Sequence, residues 1–299
     1  MTHLNGKKVL NRLILLFVVI NIIVLMLNLV AASKRYIVSD ERINNIITLL
    51  ETKDVFVEGK MPINFRPRQS INIVYESSTV SMRDDIVRKV FGEDTLDIRR
   101  STIKEGENNF GKTYKFELDS EVLEFNKYNI RYTNSNTNLY YEGINEIKKY
   151  GNNLIKKMGI EHMYVNPYVE YQEYEDKKIM KYFSTVKDIP IDDVCMIMEV
   201  YKSGCKIELP LARVEEVENS YQEIIPVDRV LFGIDEYINQ MVGVFLREIY
   251  IREIRLIYRK QNVESDNIWG EKNIPVYKLE IQGLEKPIFV NAYTNDYIT

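Results

Sequence analysis

The longest apolar run of the chain lies near its N-terminus. Residues 13–32 read LILLFVVINIIVLMLNLVAA and carry no charged side chain. Twenty residues in a helix rise about 30 Å, which is the thickness of the hydrocarbon core of a bilayer. A cleaved secretory signal has a shorter apolar core, of about 7–15 residues, although Val30-Ala31-Ala32 resembles its cleavage site. The length of the run therefore predicts an uncleaved transmembrane helix at 13–32 after a tail at 1–12.

Beyond this run the pattern alternates between helical and strand periods. A helix is predicted over 39–50, with Ser39 as its N-cap and with apolar residues at i, i+3, i+4 and i+7: Ile43, Ile46, Ile47 and Leu50. A second helix is predicted from Ser81, as its cap, to a stop at Gly92. The strands predicted in this half are 55–57, 71–75, 95–101, 113–119, 121–126 and 129–133.

A polar loop at 133–138 precedes a second half in which the order of patterns repeats. A helix is predicted over 142–158, where Gly159 ends it. The elements predicted after it are hairpins at 163–172 with 178–186 and 194–201 with 205–209, a helix at 228–241, a strand region at 244–259 and a hairpin at 276–281 with 288–292. Because each half begins with a helix and continues with antiparallel strands, we predict an α+β protein with two lobes, 33–138 and 139–299.

Charged residues beside the apolar run predict its orientation. Lys7, Lys8 and Arg12 precede the run, whereas Lys34 and Arg35 follow it. Since Lys and Arg are enriched on the cytoplasmic side, we expect 1–12 to be cytoplasmic and 33–299 to be extracellular, in a single-pass protein of the cell membrane. Residues 33–299 contain 37 Lys and Arg against 44 Asp and Glu, and this balance argues against nucleic acid as a partner.

Residue types that carry catalysis are sparse in 33–299. His162 is the one histidine of this region, and the sequence contains no G-x-S-x-G motif, EF-hand calcium loop or phosphate-binding glycine loop. Two carboxylates about 5–9.5 Å apart would form a glycosidase pair. Acidic runs beside turns are more typical of solvated surfaces, and the chain has these: Glu170, Glu173, Glu175, Asp176, Asp192, Asp193, Glu215, Glu216 and Glu218. We therefore expect no enzymatic activity, no metal and no cofactor.

The two cysteines flank a predicted turn at Lys202-Ser203-Gly204. In that hairpin Cys205 is expected opposite Tyr201, about 20 Å along the strand from Cys195. A disulfide requires the two Cα atoms to lie within about 7 Å. We therefore predict two free, partly buried thiols.

Two polar residues stand out within the apolar run. Asn21 and Asn28 are seven positions apart, which places them on one face of a helix. An amide in hydrocarbon is costly without a partner, and amides on neighbouring helices can satisfy each other. Phe17, Val24 and Leu25 lie three or four positions from these residues and belong to the same face. We predict that this face contacts a partner helix, although Asn28 alone can reach interfacial water.

Four segments together resemble a known family. They are the basic tail and single anchor at 7–32, the stretch VSDERI at 38–43 that leads to Leu49-Leu50, the stretch LIKKMGI at 154–160, and the C-terminal Ile274-Pro275-Val276-Tyr277 with IFVNAYT at 288–294. This arrangement is similar to that of the YycI family, regulators of the WalK/WalR (YycG/YycF) two-component system in low-GC Gram-positive bacteria. Asn295 stands where the family usually has Gly, and a left-handed turn tolerates Asn.

The resemblance implies a two-lobed, non-enzymatic exterior. It also implies an anchor that associates with a YycH-like sister protein and with the sensor histidine kinase, and thereby sets kinase output and cell-wall metabolism. Two alternatives stay open at this point. One is an exported cell-wall enzyme or assembly factor, and the other is a PepSY-like inhibitor or chaperone, which the C-terminal hairpin resembles.

Overall fold

The computed structural model of the protein describes residues 3–92, 97–105, 111–164, 167–242, 248–261 and 271–298. Over these ranges the chain is a mixed α/β protein with one N-terminal apolar helix and mostly antiparallel strand pairs. The helices are α1 (His3–Lys34), α2 (Asp40–Glu51), α3 (Val80–Phe91), α4 (Ile144–Met158), α5 (Val227–Leu231) and α6 (Ile234–Val242). Short 3-10 helices occur at Leu139–Tyr141 and Glu161–Met163.

The strands follow the chain in this order: β1 (Val55–Val57), β2 (Ile71–Tyr75), β3 (Arg99–Glu105), β4 (Gly111–Leu118), β5 (Glu121–Phe125), β6 (Asn129–Asn134), β7 (Tyr168–Glu173), β8 (Lys177–Val186), β9 (Ile189–Tyr201), β10 (Gly204–Pro210), β11 (Ala212–Val217), β12 (Ile249–Lys260), β13 (Glu271–Ile281), β14 (Ile288–Asn291) and β15 (Tyr297–Ile298). Most of these match predicted strands within a few residues. β11 was not predicted, because its stretch ARVEEV lacks a regular apolar alternation. Residues 95–96 and 244–247, at the start of two predicted strands, lie outside the described residues.

α1 contains the whole of the helix predicted at 13–32 and extends beyond it at both ends. Within its segment Val9–Ala32, the most apolar stretch of 18 residues has a mean hydropathy of 3.1, and no part of that stretch is buried. A core helix of a soluble protein is mostly buried. The apolar side chains of α1 are exposed, so α1 differs from that class. By length and composition α1 is able to cross a membrane, and a signal sequence near an N-terminus shares these properties.

The chain divides into two compact units. Unit 1 consists of Met1–Pro67, Glu223–Ile254 and Glu280–Glu285, and unit 2 consists of Arg68–Gln222, Arg255–Leu279 and Lys286–Thr299. These units differ from the predicted lobes 33–138 and 139–299. Strand β6, which precedes the predicted boundary, pairs antiparallel with β10, which follows it, and Tyr132 lies opposite Ile207. Such long-range pairing is not visible in local periodicity, so the pairing of strands from the two sides of the polar loop was not predicted.

Within unit 1, α2 begins and packs as the sequence predicts. Ser39 is its N-cap, and the Ser39 hydroxyl accepts a hydrogen bond from the Arg42 N–H at 3.4 Å. On the predicted apolar face, Ile46 and Leu50 are buried. Their burial against neighbours that include β1 and α5 gives unit 1 part of its apolar core.

Unit 1 also joins distant parts of the sequence. β1 pairs in parallel with the beginning of β12, and the rings of Phe56 and Tyr250 stack there with centroids 5.2 Å apart. The helix predicted over 228–241 is two helices, α5 and α6, which Phe232 and Gly233 separate. Gly233 has a φ of +83°, a conformation that L side chains rarely adopt, and this explains the break.

Within unit 2 the strands follow the order β11-β2-β13-β12-β9-β10-β6-β5-β4-β3. β8 and β7 branch from β9, and β14 and β15 branch from β13. The contact of β12 with β9 is parallel. The pairs of β11 with β2, of β2 with β13 and of β9 with β10 are antiparallel, as are the successive pairs from β10 to β3. The C-terminal hairpin is confirmed, with Tyr277 opposite Val290. Asn295 has a φ of +68°, in the left-handed region that Asn tolerates.

Helices α3 and α4 pack against each other in unit 2. The predicted cap of α3, Ser81, is wrong, because Thr79 takes that place and accepts the Met82 N–H at 3.2 Å. α4 ends at Gly159 as predicted, and this glycine has a φ of +75°. Lys157 of α4 donates from Nζ to the main-chain carbonyl of Val90 at 2.7 Å, which satisfies a carbonyl at the end of α3.

The hairpin that carries the cysteines has a shorter turn than the sequence predicts. Gly204 pairs with Tyr201, so the turn contains two residues and Cys205 lies opposite Val200 instead of Tyr201. Gly204 has a φ of +147°, and a Cβ at this position would collide with the carbonyl oxygen of Asn134. Glycine therefore fixes the register of β10 at this end.

Candidate transmembrane interaction face

α1 brings the five predicted site residues to one side of a single helix. At 3.6 residues per turn they fall within an arc of about 100° and extend about 16 Å along the axis: Phe17, Asn21, Val24, Leu25 and Asn28. All five side chains are exposed. The face therefore presents two amides among apolar groups, and its role in binding a partner stays a prediction.

Asn21 makes a local hydrogen bond that its spacing from Asn28 does not predict. Its Nδ2 donates to the main-chain carbonyl of Phe17, one turn earlier, at 2.8 Å. This bond uses one of the two N–H groups of the amide, and the side chain also has a carbonyl that can accept. Back-bonding to the i−4 carbonyl lowers the cost of Asn in hydrocarbon, since part of its polar surface is satisfied within the helix.

Unit 1 has a shallow concavity beside α2. It has a volume of about 290 Å³ and is lined by residues of α2 and by residues in and after α5: Arg42, Asn45, Ile46, Leu49, Asp228, Arg229 and Phe232. Phe232 is 68 % exposed at this concavity, an unusual state for a large aromatic ring. An exposed Phe beside Leu49 and two arginines is suited to contact with another protein.

The exposed Phe232 was missed in the sequence because it falls inside the predicted helix 228–241. Gly233 directly after it is the signal that could have revealed the break, since glycine ends helices more readily than it continues them. Phe232 then reads as a residue between two helices, and such residues frequently form binding surfaces.

Unit 2 has a larger concavity beside α4, with a volume of about 630 Å³. It is lined by Lys148, Asn152, Ile155, Lys156, Glu161, Tyr164 and Pro167. Tyr164 donates its hydroxyl to the carbonyl of Pro210 at 3.2 Å, and burial raises the pKa of this phenol well above its usual range. Tyr164 is therefore a structural wall of the concavity, without an ionisable role at neutral pH.

The acidic residues singled out in the sequence are spread over several strands of unit 2. Glu170 pairs with Arg255, and Glu218 pairs with Lys272 at 2.8 Å. Asp193 is partly buried and accepts the main-chain N–H of Lys260 at 3.3 Å. Burial and the neighbouring Asp192 raise the pKa of Asp193. Glu175 and Asp176 line a separate concavity of about 450 Å³ with Tyr201, Lys202 and Ser203.

The thiols and the histidine are placed as follows. Cys195 and Cys205 are both free, as predicted. Burial raises the pKa of Cys195 to about 12 and that of Cys205 to about 11, so both stay protonated and poorly nucleophilic at neutral pH.

His162 is exposed on a 3-10 helix. Among the described residues, no group of three or more His, Cys, Asp or Glu is arranged to hold a metal ion.

Comparison with known proteins extends to the fold alone. No protein-family model and no curated protein matches the sequence. The structure is similar to the crystal structure of an uncharacterized protein from Eubacterium rectale ATCC 33656, with a TM-score of 0.57 and 11 % sequence identity. The match covers 82 % of this chain and 91 % of that one. Likeness at such low identity establishes a shared fold and says nothing about activity.

Proposed function

We propose that this protein is a membrane-anchored, non-enzymatic regulator of a sensor histidine kinase, with a role like that of the YycI family. Residues 1–12 lie in the cytoplasm, the apolar segment 13–32 of α1 spans the cell membrane, and residues 33–299 form a two-lobed extracellular α+β region. The face of α1 that carries Asn21 and Asn28 contacts a transmembrane helix of the kinase or of a YycH-like sister protein. Exterior contacts then bias this helix between two positions that the kinase reads.

The uncovered apolar surface of α1 is the observation that carries the proposal. No part of the most apolar stretch within Val9–Ala32 is buried by the rest of the chain, so this helix needs another apolar environment. A bilayer provides that environment for the leucines, valines and isoleucines. It leaves the remaining polar groups of Asn21 and Asn28 in need of partners.

A partner helix is the natural source of those hydrogen bonds. Interhelical amide bonds in membranes contribute about 0.6–2 kcal/mol each, which is enough to favour one rotational setting of a helix over another. Asn21 lies near the middle of the span, where water is scarce, and its bond to Phe17 leaves the amide carbonyl available to a donor. Asn28 lies nearer the extracellular end and adds a second polar contact on the same face.

Protease treatment of intact cells tests the topology. The protein with an affinity tag at its N-terminus should lose its main body, while a tagged fragment of about the size of residues 1–34 stays in the membrane fraction. A mature N-terminus at Ser33 would instead identify 1–32 as a cleaved signal and would exclude the anchor.

Substitution of both amides tests the regulatory contact. Asn21→Leu with Asn28→Leu keeps α1 apolar, so the protein should reach the membrane at its normal level. Co-purification with the kinase should fall, and kinase output should change. Unchanged association and output would refute the contact through α1.

The matched control changes the other side of the helix. Val19→Leu with Met26→Leu also introduces two leucines seven positions apart, but about 140–160° around the axis from Asn21. This pair should leave association unchanged. Equal losses in both double variants would mean that the face has no special role.

A further inference from the structure

The chain that follows α1 returns to meet the loop before β2 as a short two-stranded ribbon. We infer that residues 34–38 and 60–66, here named the juxtamembrane ribbon, lie in the outer headgroup layer of the membrane and bind anionic lipid there. The inference rests on the proposal that α1 spans the membrane. It adds a second attachment, to the lipid surface, that no part of the proposed kinase contact requires.

Main-chain hydrogen bonds define the ribbon. The N–H of Val38 donates to the carbonyl of Ile63, and the N–H of Phe65 donates to the carbonyl of Tyr36, both at 2.9 Å. Between these bonds Ile37 lies opposite Asn64 in an antiparallel bridge. The loop at 62–65 is thereby fixed at the level of the first residues after α1.

That level coincides with the headgroup layer. Tyr36 lies four residues beyond Ala32, where the apolar segment ends, and four residues of helix or turn rise about 6 Å. The polar layer on each side of a bilayer is about 5–8 Å thick. The ribbon therefore starts within this layer when α1 spans the hydrocarbon core.

The side chains of the ribbon match that environment. Ile37 is 40 % exposed and Ile63 is 44 % exposed, which leaves two large aliphatic groups uncovered beside the membrane segment. Tyr36 and Phe65 form an edge-to-face pair with centroids 5.9 Å apart. Aromatic rings at the ends of transmembrane helices favour the interface, where apolar and polar surroundings meet.

The charged side chains of the ribbon favour contact with anionic lipid. The ribbon carries four cations, Lys34, Arg35, Lys60 and Arg66, and no carboxylate. The guanidinium of Arg35 lies 5.4 Å from the centre of the Tyr36 ring. Basic residues beside a membrane segment are attracted to anionic headgroups, and their aliphatic stems can lie along the apolar layer. The acceptor groups are thus the phosphates of anionic lipids.

Fluorescence of the full-length protein in vesicles tests the inference. The native tryptophan is first removed by Trp269→Phe, and Ile63→Trp then places a reporter in the ribbon. The vesicles contain phosphatidylcholine and phosphatidylglycerol whose acyl chains carry bromine near the carbonyl end. The reporter should lose most of its fluorescence relative to vesicles without bromine, and the loss should be smaller in pure phosphatidylcholine.

The control reporter is Tyr141→Trp in the same background, at an exposed position far from the ribbon in sequence. It should keep its fluorescence in bromine-containing vesicles. Flotation of the same samples separates the two proposals. Protein that does not float with the vesicles contradicts the membrane span itself. Protein that floats while the reporter at 63 stays as bright as the control contradicts the ribbon contact, and equal quenching in both lipid mixtures contradicts its preference for anionic lipid.

Discussion

Arg42 of α2 donates from both Nε and Nη2 to a single oxygen, Oδ2, of Asp228 in α5, at 2.9 and 2.5 Å. The side chain of Asp228 is 14 % exposed, and its other oxygen, Oδ1, is buried without a hydrogen-bond partner among the described residues. Among the described residues, the negative charge of the Asp228 carboxylate is therefore compensated by the guanidinium of Arg42. This dependence links two helices of unit 1 that are far apart in sequence.

Removal of the guanidinium should destabilise unit 1. Arg42→Ala is expected to lower the free energy of unfolding by about 1–3 kcal/mol, because it leaves a largely buried carboxylate unpaired, while the partly exposed arginine limits the effect. Denaturant unfolding of the full chain in detergent measures the loss. The neighbouring Arg229→Ala should change stability little. Adding Asp228→Asn to Arg42→Ala should recover much of the loss, and no recovery would contradict the unpaired charge as its cause.

Two adjacent leucines of α2 should differ sharply in their effect on stability. Leu50 is 1 % exposed and Leu49 is 38 % exposed. Leu50→Ala should therefore cost about 2–5 kcal/mol through lost burial and a residual cavity. Leu49→Ala should cost about 1 kcal/mol or less, since this side chain is already partly in water. Equal costs in denaturant unfolding would show that α2 packs through a different face.

Gly204 should be more sensitive to alanine than another glycine with a positive φ. Gly204→Ala adds a Cβ that meets the Asn134 carbonyl in a backbone conformation unfavourable to alanine, and we expect a loss of about 2–4 kcal/mol. Gly283→Ala is the matched control, because its φ is +85° but the added Cβ meets open space, so only about 1–2 kcal/mol should be lost. Thermal unfolding would contradict this steric explanation if the two variants lost the same stability.

The raised pKa of Asp193 predicts a specific pH dependence. Its ordinary value is 3.8, and burial followed by repulsion from Asp192 raises the folded pKa above it. The folded state then binds more protons, so the free energy of unfolding falls as pH rises through the interval that begins near pH 3.8. Asn at this position keeps an acceptor for the Lys260 N–H. Asp193→Asn should therefore match the parent at low pH and exceed its stability at neutral pH.

The difference between variant and parent isolates this effect. Glu199 and Glu218 have pKa values lowered by hydrogen bonds to Lys177 and Lys272, so they impose the opposite slope on the parent and the variant alike. A pH-independent difference between Asp193→Asn and the parent would contradict burial of the charge as the cause.

Local sequence patterns predicted the helices well, but they did not predict which strands pair with each other. α2 and α4 were found because an apolar stripe at helical spacing, a cap and a terminal glycine all lie within a few neighbouring residues. The pairing of β6 with β10 and of β1 with β12 depends on residues distant in the chain, and no local signal specifies it. The division into units follows from those pairings, so it differs from the predicted lobes.

The candidate face was predictable for the same reason. The relation of Asn21 to Asn28 follows from helical geometry alone, whereas the exposed Phe232 depends on a break between two helices. The bond from Asn21 to Phe17 is also local, and the known tendency of Asn to bond neighbouring main-chain groups could have foretold it. The residues of a partner that contact this face belong to another molecule, so they do not follow from this sequence.

Because the chain is synthesised from its N-terminus, the first segment of unit 1 is made well before the later segments that pack against it. Arg42 and Asp228 are 186 positions apart. A ribosome that adds about 5–20 residues per second needs about 10–40 s to pass from one to the other. During that time α2 has emerged, but the later helix that covers it does not yet exist. The apolar groups of Ile46 and Leu50 are then open to chaperones and to aggregation, so the yield of folded protein depends on events that precede completion of the chain.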